Sequence, residues 1–560
     1  MVSKIIISII AINSFFIVYC ELTNEDGLVV HLPKGAIRGR TRTSANGSEY
    51  YSFQDIPFAA PPTGENRFKV PKPPRSWKGI LNTTDNVKEC MANMQFLDGS
   101  INHLGNTQSE DCLYLNVYTP VKPGSIDSLP VFVFIHGGKF LFENGWFSSF
   151  GPKYLVDHNI IVVTMNYRLG AFGFLATTDG IIPGNLGLKD QNFALKWVQE
   201  NIHLFGGNPK KVTIGGQSAG GVSAGYHVVS QQSKGLFSSA ILQSGSSIHT
   251  WGFQTNPDGY AFKLGNILDN TLGYTNSSKL LSVLLKASAN DISAASVKVL
   301  NDENTDGVAI MDLMWAPIIE DKSLDDTFIS DPMYGMLQDG KFNKVPILIG
   351  FTSEESLLFV RDANFDEYSQ LYDNNPSLLV NDKFHLDAQN KSAAGSELRK
   401  LYTGNTSFAE NWGSLVRFTS DSFISRSSTR HAAITSRFVP TYLYKFSYGN
   451  MKTDFPDTEH VPHAQEMRFI WEKSFNPDSR DFDNVIRQQT LKLWTNFMKY
   501  HDPTPSRDPL LMNIIWPKVE PDNILYLNID ETLNVTLNPR QYNEVSSILD
   551  SYIHSPLATY

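Results

Sequence analysis

The segment Lys211-Val-Thr-Ile-Gly-Gly-Gln-Ser-Ala-Gly-Gly221 constrains this chain more than any other. A β-branched strand pattern runs into Gly216-Gln217-Ser218-Ala219-Gly220 and then into a helix-compatible stretch from Val222 to Val229. Strand, sharp turn and helix in that order are what a nucleophilic serine needs if its Oγ is to stand clear of the chain. Such a turn crowds the neighbouring backbone, and small residues at Gly216 and Gly220 relieve the crowding. Ser218 would then sit at a helix N-terminus, whose open amides and positive dipole end favour a developing oxyanion, with the Ala219 N–H as one donor. The competing reading is a tight turn with a capping serine, and the strand before it argues against that.

Upstream, the strand pattern Pro130 to Ile135 ends in His136-Gly137-Gly138-Lys139-Phe140. Missing side chains there let backbone N–H groups near Gly138 and Lys139 approach a carbonyl, the second half of an oxyanion hole. A serine hydrolase of this chain order needs an acid and then a histidine after Ser218. Pro346-Ile-Leu-Ile-Gly350 reads as buried strand, and Glu354-Glu355 follows in the next loop, at the expected position for the acid. Six histidines lie beyond: His385, His431, His460, His463, His501 and His554. Pattern favours His460 and His463, which follow the strand-like Tyr442 to Phe446, and does not choose between them.

Apolar runs of strand length recur at Val131 to Ile135, Ile160 to Met165, Val212 to Ile214, Ala240 to Leu242, Val345 to Ile349, Tyr442 to Phe446 and Ile524 to Leu527. Their continuous apolarity suits strands buried on both faces. Helical patterns intervene, such as Leu188 to Ile202, with Asp190 near its start, and Asp483 to Tyr500, with Ile486, Leu493 and Phe497 on one face. Alternation of this kind implies an α/β chain with a mainly parallel sheet covered on both sides. The regions 274–339 and 362–436 read as helical insertions, which usually shape pockets. No repeat or Pro/Gly/Ser-rich linker divides the 560 residues, so residues 21–560 read as one elaborated catalytic domain.

Residues 1–20 hold Lys4 and then an apolar stretch, Ile5 to Tyr19, short for a membrane span and ordered like a secretory signal peptide. No second apolar run reaches membrane length, so the expectation is a secreted, extracellular protein without a stable membrane anchor. Of the three cysteines, loss of the signal removes Cys20 and leaves Cys90 and Cys112, which an oxidising compartment would join as a disulfide. Sequons at Asn46, Asn82, Asn276, Asn390, Asn405 and Asn534 permit N-glycosylation, although a chain this rich in Asn, Ser and Thr would hold roughly that many by chance. A net charge of −10 with no long Lys/Arg run speaks against nucleic acid as a partner.

Further ordered matches are Phe53-Gln-Asp-Ile-Pro-Phe-Ala-Ala-Pro-Pro-Thr-Gly64, Arg67-Phe68, Ser109-Glu-Asp-Cys-Leu-Tyr-Leu-Asn116, Asn166-Tyr-Arg-Leu-Gly170, Gly184-Asn-Leu-Gly-Leu-Lys-Asp-Gln191 and Leu242-Gln-Ser-Gly-Ser246. With these the chain resembles the type-B carboxylesterase/cholinesterase family of α/β-hydrolases over nearly its whole length. The resemblance implies an α/β-hydrolase fold, with a large, mostly parallel central sheet, helices on both faces and helical insertions around an active-site gorge. It implies Ser218 as nucleophile, Glu355 as acid and His463 as base, with Gly138, Lys139 and Ala219 as oxyanion donors. It makes Ser244 a partner of the acid, places Trp251 in the acyl pocket and matches Cys90 and Cys112 to the family's first disulfide. The implied activity is hydrolysis of a small carboxylic ester through an acyl-enzyme, with no metal or cofactor.

Several positions depart from the family pattern. Lys139 stands where glycine is usual; its backbone N–H survives, but the side chain would crowd the acyl site, and a positive φ would cost ~1–3 kcal/mol. A second possible role for its ammonium is to stabilise the oxyanion directly. A catalytically impaired binding relative is therefore the alternative reading. Gln217 replaces the glutamate most members carry before the serine, which keeps hydrogen bonding, removes a negative charge and favours neutral esters. Gly-Gln-Ser-Ala-Gly is similar to insect juvenile hormone esterases, whereas His460 stands three residues before His463 where glycine is usual, and Glu466 keeps the expected acidic place. Ser356 follows the acid where glycine is common, a mild change. A cholinesterase is disfavoured, because the Cys90–Cys112 loop has no tryptophan on which a quaternary ammonium could stack.

Overall fold

The computed structural model describes residues 28–92, 107–303, 313–359, 365–449, 455, 457–472, 482–554 and 556–560. The expected signal, residues 1–20, lies outside the described residues. At the centre is an eleven-stranded sheet. In chain order its strands are β1 (Arg40–Thr43), β2 (Glu49–Pro57), β3 (Tyr114–Thr119), β4 (Leu129–Ile135), β5 (Ile161–Met165), β6 (Gly207–Gln217), β7 (Ser239–Gln243), β8 (Ile347–Thr352), β9 (Thr441–Phe446), β10 (Leu525–Ile529) and β11 (Asn534–Leu537). Across the sheet they run β11-β10-β9-β8-β7-β6-β4-β5-β3-β2-β1. The seven strands β4 to β10 are parallel. The edges, β1 to β3 on one side and β11 on the other, pair antiparallel.

Alternate residues of one strand feed two cores. Val131, Val133 and Ile135 of β4 join a cluster with Val222 and Val228, while Phe132 and Phe134 point the other way into a cluster around Trp471 and Trp494. Both faces of β4 are thus dry, which is why its sequence is continuously apolar. Helices α1 (Leu186–Asn201) and α2 (Ala219–Val229) contribute to the first core, and α3 (Asp483–Tyr500) presents Ile486, Leu493 and Phe497 to the second. Phe134 meets Trp471 with ring centroids 4.7 Å apart, and each such buried side chain stabilises the fold by roughly 1.5–3 kcal/mol.

The expected parallel strands and both expected helices are present, and the two insertions are helical, with Ser277–Lys286 and Ala289–Glu303 in the first and Ala388–Thr403, Trp412–Ser420 and Arg426–Thr435 in the second. Three differences have physical causes. The strand expected from Val345 starts at Ile347 and runs on to Thr352, carrying the chain further toward the acid. Asp190 does not mark a helix start: it lies in the second turn of α1, fully buried, and its carboxylate accepts from Arg168 Nη2 and Nε at 2.7 Å. The antiparallel strands β1 to β3 and β11 are not flagged by apolar runs, because one or both of their faces are partly exposed or polar.

Cys90 and Cys112 form a disulfide, with Cα atoms 4.9 Å apart. Asn46, Asn82, Asn276, Asn405 and Asn534 are exposed and Asn390 is half-buried. Asn276 also caps its helix, accepting from the Lys279 N–H. No helix among the described residues is long and apolar enough to cross a membrane.

Candidate active site

The sheet register puts the chemistry at one end of the central strands. Gly216 of β6 lies beside Ile135 of β4, so the turn after β6 and the loop after β4 leave the sheet side by side. Gln243 of β7 pairs with both Gln217 and Gly350, and Gly350 of β8 with Tyr444 of β9. The loops carrying Ser218, Ser244, Glu355 and His463 therefore all emerge from the carboxyl ends of adjacent parallel strands, where such sheets hold their ligands.

Ser218 links β6 to α2 with φ 59° and ψ −126°, a positive-φ geometry outside the left-handed helical region that few non-glycine residues adopt. Its N–H donates to the Gln243 carbonyl at 2.8 Å, and its own carbonyl accepts from Val222 N–H, which fixes the turn at both ends. A Cβ at Gly220 would collide with the Ile135 carbonyl, and one at Gly216 with the Gly220 backbone, so both glycines are demanded by the approach of strand and helix.

Glu355 is fully buried. Its Oε1 accepts from Ser244 Oγ at 2.6 Å and from the Thr352 N–H at 2.8 Å, and its Oε2 meets His463 Nδ1 at 2.5 Å. Burial alone would raise its pKa; the His463 ring and these hydrogen bonds outweigh burial and hold the carboxyl below its ordinary range. An ionised carboxylate only accepts, so the Nδ1 of His463 carries the proton. His460 is exposed on the surface, so of the two histidines only His463 reaches the acid.

His463 Nε2 is not bonded to Ser218: among the described residues its hydrogen-bond partner is the side-chain amide of Gln217, Nε2 to Nε2 at 2.9 Å. Glu466 lies behind the acid, fully buried, with Gln243 Nε2 donating to its Oε1 at 3.4 Å. Burial, and then repulsion from Glu355, push its pKa up to about 8, the opposite direction from its neighbour.

In the loop after β4, Gly138, Lys139 and Phe140 all have positive φ, at 84°, 55° and 59°. The loop folds on itself through Leu141 N–H to the Gly138 carbonyl at 2.8 Å, and Glu143 Oε2 accepts from Gly137 N–H at 3.1 Å. Lys139 is thus strained as the sequence anticipates. Its ammonium stands 5.1 Å from the centroid of the Phe359 ring, which also lies 5.3 Å from the His463 ring. Burial pushes its pKa down to about 8.

Trp251 lies on a short turn, Thr250–Gly252, its indole N–H donating to the Phe423 carbonyl at 2.9 Å. Phe423 packs edgewise on Phe359 at 6.3 Å, and Phe359 in turn lies against the imidazole, whereas Trp251 reaches this pair only through the Phe423 backbone. Thr352, Glu143, Phe359 and Phe423 are not singled out by sequence, since nothing in their local pattern separates them from ordinary strand, loop or core residues. Among the described residues no group of three or more His, Cys, Asp or Glu side chains is arranged to hold a metal ion.

Comparison with known proteins identifies the family and the fold. Residues 26–545 match the carboxylesterase family. The juvenile hormone esterase of Tribolium castaneum is 31% identical over 546 residues, covering 91% of this chain and 90% of that protein. The juvenile hormone esterase of Heliothis virescens is 32% identical over 518 residues, covering 88% and 89%. Among solved structures, the juvenile hormone esterase of Manduca sexta with OTFP covalently attached superposes with a TM-score of 0.79 at 28% identity, covering 94% of this chain and 99% of that one. PNB esterase superposes with a TM-score of 0.76 at 27% identity, covering 93% and 99%.

Proposed function

From the premise that this chain belongs to the carboxylesterase family and is an α/β-hydrolase acting on carboxylic esters, we propose that Ser218, Glu355 and His463 form its catalytic triad. The observation that carries this reading is the 2.5 Å contact of His463 Nδ1 with a buried Glu355 that two further donors hold in place. In the reaction His463 Nε2 takes the Ser218 proton as Oγ attacks the ester carbonyl, and Glu355 keeps the ring oriented while it is charged. The amides of Gly138, Lys139 and Ala219 receive the oxyanion. His463 then protonates the departing alcohol, and water repeats the attack to free the acid.

The Phe359–Phe423 pair beside the imidazole and the uncharged Gln217 favour neutral, hydrophobic esters, and the relatives make juvenile hormone-like esters the first candidates. We read residues 1–20 as a signal peptide and residues 21–560 as one secreted catalytic unit, with the exposed sequons open to glycosylation; the Cys90–Cys112 disulfide suits an oxidising compartment. The test is hydrolysis of a short-acyl and a long-acyl p-nitrophenyl ester by the wild type, Ser218→Ala and His463→Ala. Turnover that vanishes in both variants supports the triad; turnover that survives Ser218→Ala rejects it.

A further inference from the structure

The nitrogen that should receive the serine proton is already occupied. Glu355 accepts at Nδ1, so in the neutral ring Nε2 offers one lone pair, and the Gln217 amide N–H points at it from 2.9 Å. Ser218, the next residue, has the only other donor the proposed mechanism would bring to that lone pair. The two compete for one acceptor. Gly137 makes room for the amide: a Cβ there would stand 3.2 Å from Gln217 Oε1 and closer still to its carbonyl.

We propose that Gln217 is a positioning residue that latches the base in the resting enzyme, holding His463 Nε2 away from Ser218 until substrate binding exchanges one hydrogen bond for the other. The inference rests on the triad reading above. It depends on an amide at this position, because a carboxylate has no hydrogen to give to the neutral ring. When the ring becomes charged, its Nε2 turns donor and the amide must rotate to present Oε1, so Gln217 serves both protonation states where glutamate would serve only the charged one. No bond is made or broken by Gln217 itself; it governs how often the base faces the nucleophile.

The test is the pre-steady-state burst of p-nitrophenol from p-nitrophenyl acetate, which reports acylation separately from later steps. Gln217→Met keeps length and bulk without a donor, and Gln217→Asn keeps the amide but withdraws it from the ring. Both are expected to raise the acylation rate roughly three- to tenfold, the net worth of one neutral hydrogen bond, with KM little changed. Gln217→Glu is expected to move the acid limb of kcat/KM to higher pH, since a carboxylate beside the ring favours its charged form. The charged or titratable groups already facing the ring are Glu355 at Nδ1, Glu466 behind Glu355 and Lys139 across Phe359. That shift checks only that position 217 faces the ring; the latch itself is tested by the acylation rates of Gln217→Met and Gln217→Asn. Acylation unchanged or slowed in folded Gln217→Met and Gln217→Asn overturns the latch while a burst lost in Ser218→Ala leaves the triad standing; a burst that persists in Ser218→Ala overturns both.

Discussion

Glu354 and Glu355 are adjacent in sequence, yet their carboxylates belong to different structures. Glu355 faces His463, while Glu354 accepts from Ser420 Oγ at 2.6 Å, from Arg540 Nη2 at 3.0 Å and from the Glu459 N–H at 3.1 Å. Both are fully buried, and the turn of the chain after β8 gives them separate partners. Substitution should therefore separate catalysis from stability. Glu355→Gln is expected to lower kcat by about 10²–10⁴ with the fold intact, because the imidazole loses the partner that fixes its tautomer. Glu354→Gln should leave kcat within a few-fold and cost ~2–4 kcal/mol of unfolding free energy, since Arg540 loses one of its buried carboxylates. Urea denaturation alongside steady-state kinetics checks both.

The buried pair Glu355 and Glu466 fixes a pH dependence of stability. Glu355 lies below its ordinary pKa in the fold, so its contribution is present above the unfolded carboxylate value and is lost as pH falls through the folded one. Glu466 runs the other way. Its folded pKa is about 8 against an ordinary 4.5, so the folded state binds the extra proton between those values and its contribution fades as pH rises from 4.5 through 8. Glu466→Gln, uncharged throughout, should flatten the decline of thermal stability between pH 5 and 8. A variant with the same slope as the wild type would show that Glu466 is ionised in the fold.

The legible parts of this protein were those written locally. Parallel strands buried on both faces declare themselves as apolar runs, and the turn at Ser218 declares itself through glycines that a Cβ would destroy. The antiparallel strand Arg40–Thr43 alternates half-buried and exposed polar residues and carries no such mark. Nor does local pattern separate His463 from His460, because the difference between them is a contact with Glu355 made 108 residues away. The same holds for Thr352, Phe359 and Glu143, whose roles exist only once the strand ends are assembled. Gln217 was visible as a departure, but its bond to Nε2 is a property of the fold.

The Cys90–Cys112 bridge closes a loop of 22 residues near the Arg67–Glu110 ion pair, whose Nε to Oε1 distance is 2.6 Å. Replacing both cysteines with serine is expected to cost about 3 kcal/mol, chiefly through the freedom returned to the unfolded chain. The bridge is remote in sequence from all three triad candidates, so kcat at 25 °C should stay within about twofold while the urea midpoint falls. A large loss of kcat in the folded variant would mean that the bridge also shapes the site.

Lys139 decides how the acyl side of the site is used. Its left-handed backbone is strained for a side chain, and its ammonium sits against Phe359, one ring away from His463. Lys139→Gly removes the strain but also returns freedom to the unfolded chain, so the two effects offset and net stability should change by less than ~1 kcal/mol. Turnover of a long-acyl ester should rise more than that of a short one, because a four-carbon stem leaves the face of Phe359. Lys139→Met separates bulk from charge. Steric obstruction predicts that Met behaves like Lys at every pH; direct stabilisation of the oxyanion by the ammonium predicts that Lys exceeds Met below about pH 8 and that the difference disappears above it, where the amine is neutral. The ratio of the two enzymes' kcat/KM between pH 6.5 and 9.5 separates these outcomes, and a flat ratio assigns Lys139 to pocket shape alone.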